Sequence, residues 1–175
     1  MTQLVLSIDA GVPKAMTASE VLTLILASAL PENISIMLDP ALSADGKWSG
    51  FTEAGTAGAT LAFGDVCYQA SADDRWELAK ADAASTSQGR LGICVLAAAS
   101  DGDATNLLLF GKVRADTAFP SFTKYAPVYI SSGTAGDLTT TIPSKSTGHI
   151  VRVVGWAITA DEIWFQPGGS WGEYA

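Results

Sequence analysis

Side chains able to do acid–base or nucleophilic chemistry are few in this 175-residue sequence. His149, the single histidine, follows Gly148 at the start of an apolar run and has no partner motif, so we predict a surface histidine and not a general base. The sequence contains no G-x-S-x-G, no H-E-x-x-H and no phosphate-binding glycine loop. We therefore predict no enzymatic activity, no catalytic residue and no bound cofactor.

Ligands for a metal ion are equally sparse. Asp101, Asp103 and Asn106 offer fewer oxygen ligands than calcium prefers, and the two cysteines and one histidine lack the paired spacing of a zinc site. Cys67 and Cys94 each alternate with apolar neighbours in a strand-like run. We predict no metal site and two buried free thiols, with a disulfide as the alternative.

Five tryptophans are many for this length, and exposed aromatic side chains can form an interface or stack on sugars. Trp76 and Trp156 lie in strand patterns, which predicts core positions. The final stretch DEIWFQPGGSWGEYA contains too many glycines to form a compact core of its own. Its aromatic residues are therefore the predicted interface residues Trp164, Phe165, Trp171 and Tyr174.

The overall charge narrows the classes of partner. A formal net charge of -8 and a pI near 4.4, with no run of Lys or Arg, disfavour binding to nucleic acid. The start of the chain has no basic region typical of a secretory signal, and the longest apolar run is about half of the roughly 20 residues that span a membrane. We expect no nucleic-acid partner, no membrane partner and synthesis in the cytoplasm.

The N-terminal residues combine an extended segment with a helical pattern. Residues 4–8 are apolar and extended, Gly11 and Pro13 interrupt the chain, and residues 17–30 predict a helix that ends at Pro31. The extended segment is either an arm that adds a strand to a neighbour or the first strand of the protein's own sheet. The predicted interface residues here are Leu4, Leu6, Ile8, Leu22, Ile25 and Leu26.

The rest of the chain predicts a mainly β domain. From residue 45, short runs of β-branched and aromatic residues alternate with turn residues at intervals of roughly 8 to 12, which is typical of a small β-barrel or β-sandwich. The predicted strands are residues 61–70, 75–81, 90–98, 105–114, 126–132, 150–158 and 161–168. We therefore predict two parts: residues 1–41, for attachment or oligomerisation, and a β domain at residues 42–175.

Two sequence repeats run through the β domain. The letters GTAG occur at residues 55–58 and 133–136 but on opposite sides of their strands, which indicates turn chemistry with glycine at positive φ. A longer alignment joins FGDVCYQAS to YAPVYISSG and GRLGICVLAA to VRVVGWAITA. This second repeat predicts an internal duplication of a β unit.

Three stretches carry a resemblance to a known class of proteins. ADGKWSGFTEAGTAGATLAFGDVCYQ, GRLGICVLAA and VVGWAITADEIWFQPGGSW resemble virion structural proteins of tailed bacteriophages, of the capsid decoration or head-fibre type. The resemblance covers roughly residues 42–175. It implies a β-rich homotrimer that sits on the capsid surface of the virion, contacts the major capsid protein and stabilises the shell without enzymatic activity.

A second class of function is a tail-fibre or head-fibre module that binds a host receptor or glycan. That function needs Trp and Tyr side chains in an exposed groove, whereas a decoration protein needs them at a protein contact.

Overall fold

The computed structural model describes the backbone of Val5–Asp9 and Val12–Ala15 and both backbone and side chains of residues 37–175. These fall into two units, Met1–Met37 and Leu38–Ala175. The predicted helix and the side chains of the six predicted N-terminal interface residues lie outside the described part.

The first unit contains a β-hairpin. Strand β1 (Val5–Asp9) pairs antiparallel with β2 (Val12–Ala15), and Asp9 lies opposite Val12. Pro13 lies within β2 opposite Ile8, where we expected a break between arm and helix. Residues 5–8 of the predicted extended segment therefore pair with the residues that follow them, and the role of the segment as an arm stays a prediction.

The second unit is mainly β, as the sequence predicts. Its strands are β3 (Lys47–Thr56), β4 (Val66–Gln69), β5 (Trp76–Leu78), β6 (Leu91–Leu96), β7 (Ala104–Arg114), β8 (Pro127–Ile130), β9 (Leu138–Thr139), β10 (Ile150–Val151), β11 (Val153–Ala157), β12 (Glu162–Phe165) and β13 (Gly172–Glu173), with a short 3-10 helix at Ala84–Thr86. Each predicted strand overlaps at least one of these. Strands β3, β9 and β13 are not among the predicted ones.

Strand β7 organises the main sheet. Along one edge it pairs with the whole of β3, and along the other edge it pairs first with β6 and then with β12. The strand order is β5-β4-β6-β7-β12-β11-β8-β9, and β3 lies beside β7. Near the point where β6 gives way to β12, Gly50 lies opposite Gly111, and the register between β3 and β7 shifts by one residue between Phe51 and Thr52. Both have positive φ, 158° and 138°, and both backbones approach too closely for a Cβ atom.

The strand pairing repeats along the chain. In the segment β4 to β7, the first strand pairs with the second and third, and the third pairs with the fourth. Strands β8, β9, β11 and β12 pair in the same pattern. Val66 lies opposite Ile93, and Val128 lies opposite Gly155, so the register also follows the sequence alignment of the two halves. This agreement supports the predicted duplication.

The GTAG letters, in contrast, have two unrelated structures. Gly55 and Thr56 end strand β3, so the turn prediction is wrong for the first copy. In the second copy Gly136 has φ 84°, as the turn prediction requires.

Backbone hydrogen bonds draw the two ends of the curled sheet together. Gly136 donates to the carbonyl of Ala79 at 2.8 Å, its own carbonyl accepts from Val66 at 2.8 Å, and Ile150 donates to Ala81 at 2.9 Å. We call these bonds the seam. They join the end of the first half to the second half, which gives the unit the shape of a half-barrel.

Two hydrophobic clusters lie on opposite faces of the first half. The larger contains Val66, Ile93 and Leu108 together with Val128, Ile163 and Phe165 of the second half, all fully buried. The smaller surrounds Trp76, which is 1% exposed and lies against Gly55 and Gly92. Burying a side chain of this size contributes roughly 3 kcal/mol.

Candidate interaction surface

The one histidine contacts a serine close to it in sequence. His149 Nδ1 lies 3.1 Å from the carbonyl oxygen of Ser144 and 3.4 Å from its hydroxyl. The carbonyl is the nearer of the two oxygens and accepts a hydrogen bond when Nδ1 carries the proton.

The oxygen ligands considered for calcium serve local structure or have no partner. Asp101 pairs with Arg75, and Asp103 Oδ2 accepts from the backbone and hydroxyl of Ser100. Asn106 Oδ1 is buried and has no hydrogen-bond donor within residues 37–175. In the described part of the chain no three His, Cys, Asp or Glu side chains converge on a point that could hold a metal ion.

The cysteines are buried free thiols, which confirms the sequence prediction. Burial raises the pKa of Cys67 well above its ordinary value and also raises the pKa of Cys94. The Cys94 thiol lies 3.7 Å from the hydroxyl of Thr105 and 3.3 Å from the carbonyl of Leu96. Both thiols therefore remain protonated at neutral pH.

The predicted aromatic interface residues divide between surface and core. Trp164 is half-buried on the outer side of β12, whereas Phe165 is fully buried, so the prediction for Phe165 is wrong. The reason is the alternation of a strand, which turns neighbouring side chains to opposite faces. Trp76 is in the core as predicted, but Trp156 is 51% exposed and its core prediction is also wrong.

Trp156 and Trp164 belong to one row of side chains across the sheet. Trp156 lies directly opposite Trp164, which lies opposite Lys112. The Trp164 ring also meets Phe110 edge to face, with centroids 5.1 Å apart, and Phe110 lies 6.1 Å from Phe51. We call Phe51, Phe110, Trp156 and Trp164 the aromatic face. Four adjacent strands, β3, β7, β12 and β11, hold it in position.

One margin of the aromatic face is covered by the chain that precedes β3. Lys112 Nζ donates to the Pro40 carbonyl at 2.7 Å, and Arg114 Nη1 donates to the Leu42 carbonyl at 3.1 Å. Beneath this segment Glu162 is 4% exposed, and burial raises the pKa of its carboxyl against the opposing effect of Lys112.

The segment that precedes β3 leaves two rings of the aromatic face exposed. Phe51 and Trp156 remain about half exposed. Tyr125, 71% exposed, donates its amide to the carbonyl of Ala157 beside Trp156 and extends the apolar surface.

Trp171 lies in an open groove of about 410 Å³ that is lined by Val151, Val153 and the glycine-rich loop 168–172. The buried Arg152 guanidinium lies 5.9 Å from the centre of the Trp171 ring. Arg152 donates to the carbonyls of Ser87, Gln88, Gly89 and Gly168 at 2.7 to 2.9 Å. This network fixes the loop that presents Trp171. The remaining predicted aromatic, Tyr174, is half-buried beyond β13 and donates its amide to His149.

Sequence reasoning missed Phe51, Phe110 and Trp156 as surface aromatics. A signal for Trp156 was present: residues 156–164 read as a hairpin, and counting outward from its centre places the two tryptophans opposite each other. Phe51 had no comparable signal, because β3 itself was not predicted.

Comparison with known protein families, with curated proteins and with solved structures finds no match for this chain. Among the described residues, no helix is long and apolar enough to cross a membrane.

Proposed function

We propose that this chain is a structural protein of a tailed-bacteriophage virion that decorates and stabilises the capsid exterior through protein contacts. The observation that carries a contact function is the aromatic face, in which two rings are about half exposed on a rigid sheet. The phage assignment rests on the sequence resemblance of residues 42–175. The proposed partner is the major capsid protein, met on the virion surface after synthesis in the host cytoplasm.

The geometry suits a protein contact. Trp, Tyr and Arg dominate the energetic centres of interfaces, where truncating one such side chain costs roughly 2–4 kcal/mol of binding free energy. Trp164 is held by its edge-to-face contact with Phe110 and by a 3.0 Å hydrogen bond from Nε1 to Gln166. Little side-chain entropy is therefore lost when a partner covers it.

The test measures binding of the purified chain to capsids that lack it. The variants are Trp156→Ser and, as a matched control, Trp171→Ser, since both rings are about half exposed but only Trp156 belongs to the aromatic face. We expect Trp156→Ser to weaken capsid binding at least tenfold with thermal stability nearly unchanged, and Trp171→Ser to bind normally. Equal binding by both variants contradicts the role of the aromatic face, and no binding by the parent chain contradicts the decoration function.

Homotrimer formation is part of the proposal and comes from the resemblance alone. Sedimentation equilibrium at micromolar concentration measures it, and a monomeric mass contradicts it.

The second candidate function, glycan or receptor binding by a fibre module, is favoured by the Trp171 groove. An aromatic ring held beside an open groove that Ser170 and three glycines also line is a platform on which a sugar ring can stack. A glycan array distinguishes the two functions: saccharide binding that Trp171→Ser abolishes, without capsid binding, supports the fibre module.

A further inference from the structure

Strand β3 is long and well paired, yet none of its ten residues is buried. Its partner β7 contains fully buried residues along its length, such as Leu107, Leu108 and Val113. Trp48 and Phe51 of β3 are 38% and 50% exposed. Within residues 37–175, no strand pairs with the second edge of Trp48 to Ala54. Such an edge presents a row of free backbone donors and acceptors.

The direction of these backbone groups follows from the register. The amide of Ala57 donates to the Asp103 carbonyl at 2.9 Å, and alternate residues of a strand direct their backbone groups to opposite edges. The odd-numbered residues of β3 therefore bond to β7. The outward residues are Trp48, Gly50, Thr52 and Ala54.

From these features we infer that β3 is a self-association strand, which pairs antiparallel with β3 of a second copy of this chain across a two-fold axis. In an antiparallel pair, a residue whose backbone groups point toward the partner strand lies opposite a residue of the same kind. The even-numbered residues of β3 therefore lie opposite even-numbered residues of the second copy, and the two numbers of each pair sum to an even number. One such register places Gly50 opposite Gly50 of the second copy, and Trp48 opposite Thr52.

The residue at the axis favours this register. Gly50 has φ 158° and lies so close to Gly111 that no Cβ atom fits there. When Gly50 meets Gly50, no side chain lies at the two-fold axis between the copies.

Charge and apolar surface favour the same register. It places Lys47 opposite Glu53 of the second copy, twice by symmetry. Lys47 has no carboxylate within 4 Å among residues 37–175, while Glu53 is paired with Arg90, so the contact builds a Lys–Glu–Arg ion network. It also places the two exposed Phe51 rings diagonally across the axis, within reach of each other.

These features identify a second copy as the occupant, since the edge is complementary to itself in backbone parity and in charge. A two-fold contact is separate from a three-fold association and can link trimers as well as single chains. The inference does not rest on the proposed virion function.

The first experiment measures amide hydrogen exchange of the full chain, residue by residue, at high and at low concentration. In the associated state we expect protection of the outward amides Trp48, Thr52 and Ala54, which have no bond within the β domain. On dilution these amides lose protection, while the inward amides Ser49, Phe51 and Glu53 keep theirs. Fast exchange of the outward amides at every concentration overturns the inference.

The second experiment compares Thr52→Pro with Thr52→Val in sedimentation velocity. Proline removes the outward N–H and leaves the bonds to β7, whereas valine keeps the N–H and the branched shape. We expect Thr52→Pro to raise the dissociation constant of the two-fold contact about 10- to 100-fold and Thr52→Val to leave it within about threefold. Equal association of both variants overturns the inference. If the proline variant does not fold, the amide hydrogen exchange of the parent chain tests the inference by itself.

Neither outcome depends on capsids. A chain that self-associates through β3 but ignores capsids refutes only the decoration function, and a chain that binds capsids with unprotected outward amides refutes only the β3 contact.

Discussion

Replacing Gly111 by alanine tests whether the close approach of β3 and β7 requires glycine. Gly111 has φ 138°, a region that residues with a Cβ rarely adopt, and this strain costs roughly 1–3 kcal/mol. An added Cβ atom lies 2.7 Å from Gly50 Cα and closer still to the Ser49 carbonyl oxygen. Both are backbone atoms in a paired strand, so β3 must move away from β7 and weaken one or two hydrogen bonds of about 1 kcal/mol each. We expect a total loss of about 2–5 kcal/mol in the free energy of unfolding.

Urea unfolding followed by tryptophan fluorescence measures this loss. The matched control is Gly133→Ala, because the nearest atom to an added Cβ there is the Ser131 hydroxyl at 3.6 Å and φ lies outside the left-handed region. The control is expected to stay within about 0.5 kcal/mol of the parent chain. If Gly111→Ala loses less than about 1 kcal/mol with an unchanged urea dependence, the close approach of β3 and β7 does not need glycine and the prediction is wrong.

Three further predictions concern buried polar groups. Burial raises the pKa of Glu162. Between the ordinary and the raised pKa, the folded state therefore binds more protons than the unfolded state, and the free energy of unfolding falls as pH rises through that window. Glu162→Gln should therefore gain stability relative to the parent chain at neutral pH and lose that advantage below the ordinary pKa; pH-dependent urea unfolding checks this, and a constant difference contradicts it. Cys67 and Cys94 should not react with a thiol reagent in the folded chain and should both react in urea, whereas a disulfide would show as two missing hydrogens by mass spectrometry. Arg152→Lys cannot reproduce the guanidinium contacts to four carbonyls and should cost about 2–4 kcal/mol in thermal or urea unfolding, while a loss below about 0.5 kcal/mol would show that water replaces them.

Much of the β domain was predictable because its buried strands have clear patterns. Leu91 to Cys94 and Val128 to Ile130 are nearly continuous apolar runs, and both form strands in the larger core. Strand β3 escaped prediction for a physical reason: with no buried residue it has no hydrophobic alternation, and its stability comes from backbone bonds to β7.

The candidate surface was predictable only in part. The sequence identifies aromatic residues, but which face each occupies depends on the register of β11 and β12, and a shift of one residue exchanges Trp164 with Phe165. The aromatic face depends further on Phe51 and Phe110, which are brought next to Trp164 by strands distant in sequence. The N-terminal interface residues stay predictions.

The seam has a consequence for how the protein is made. Ala79 and Ala81 leave the ribosome well before Gly136 and Ile150, the residues that complete their hydrogen bonds. Until then the first half is a nascent sheet with an open margin, beside a second half that has the same pairing pattern. Low sequence identity between the halves then favours correct folding. Near-identical repeats would exchange strands between the halves, or between neighbouring chains on one polysome, before the seam could close.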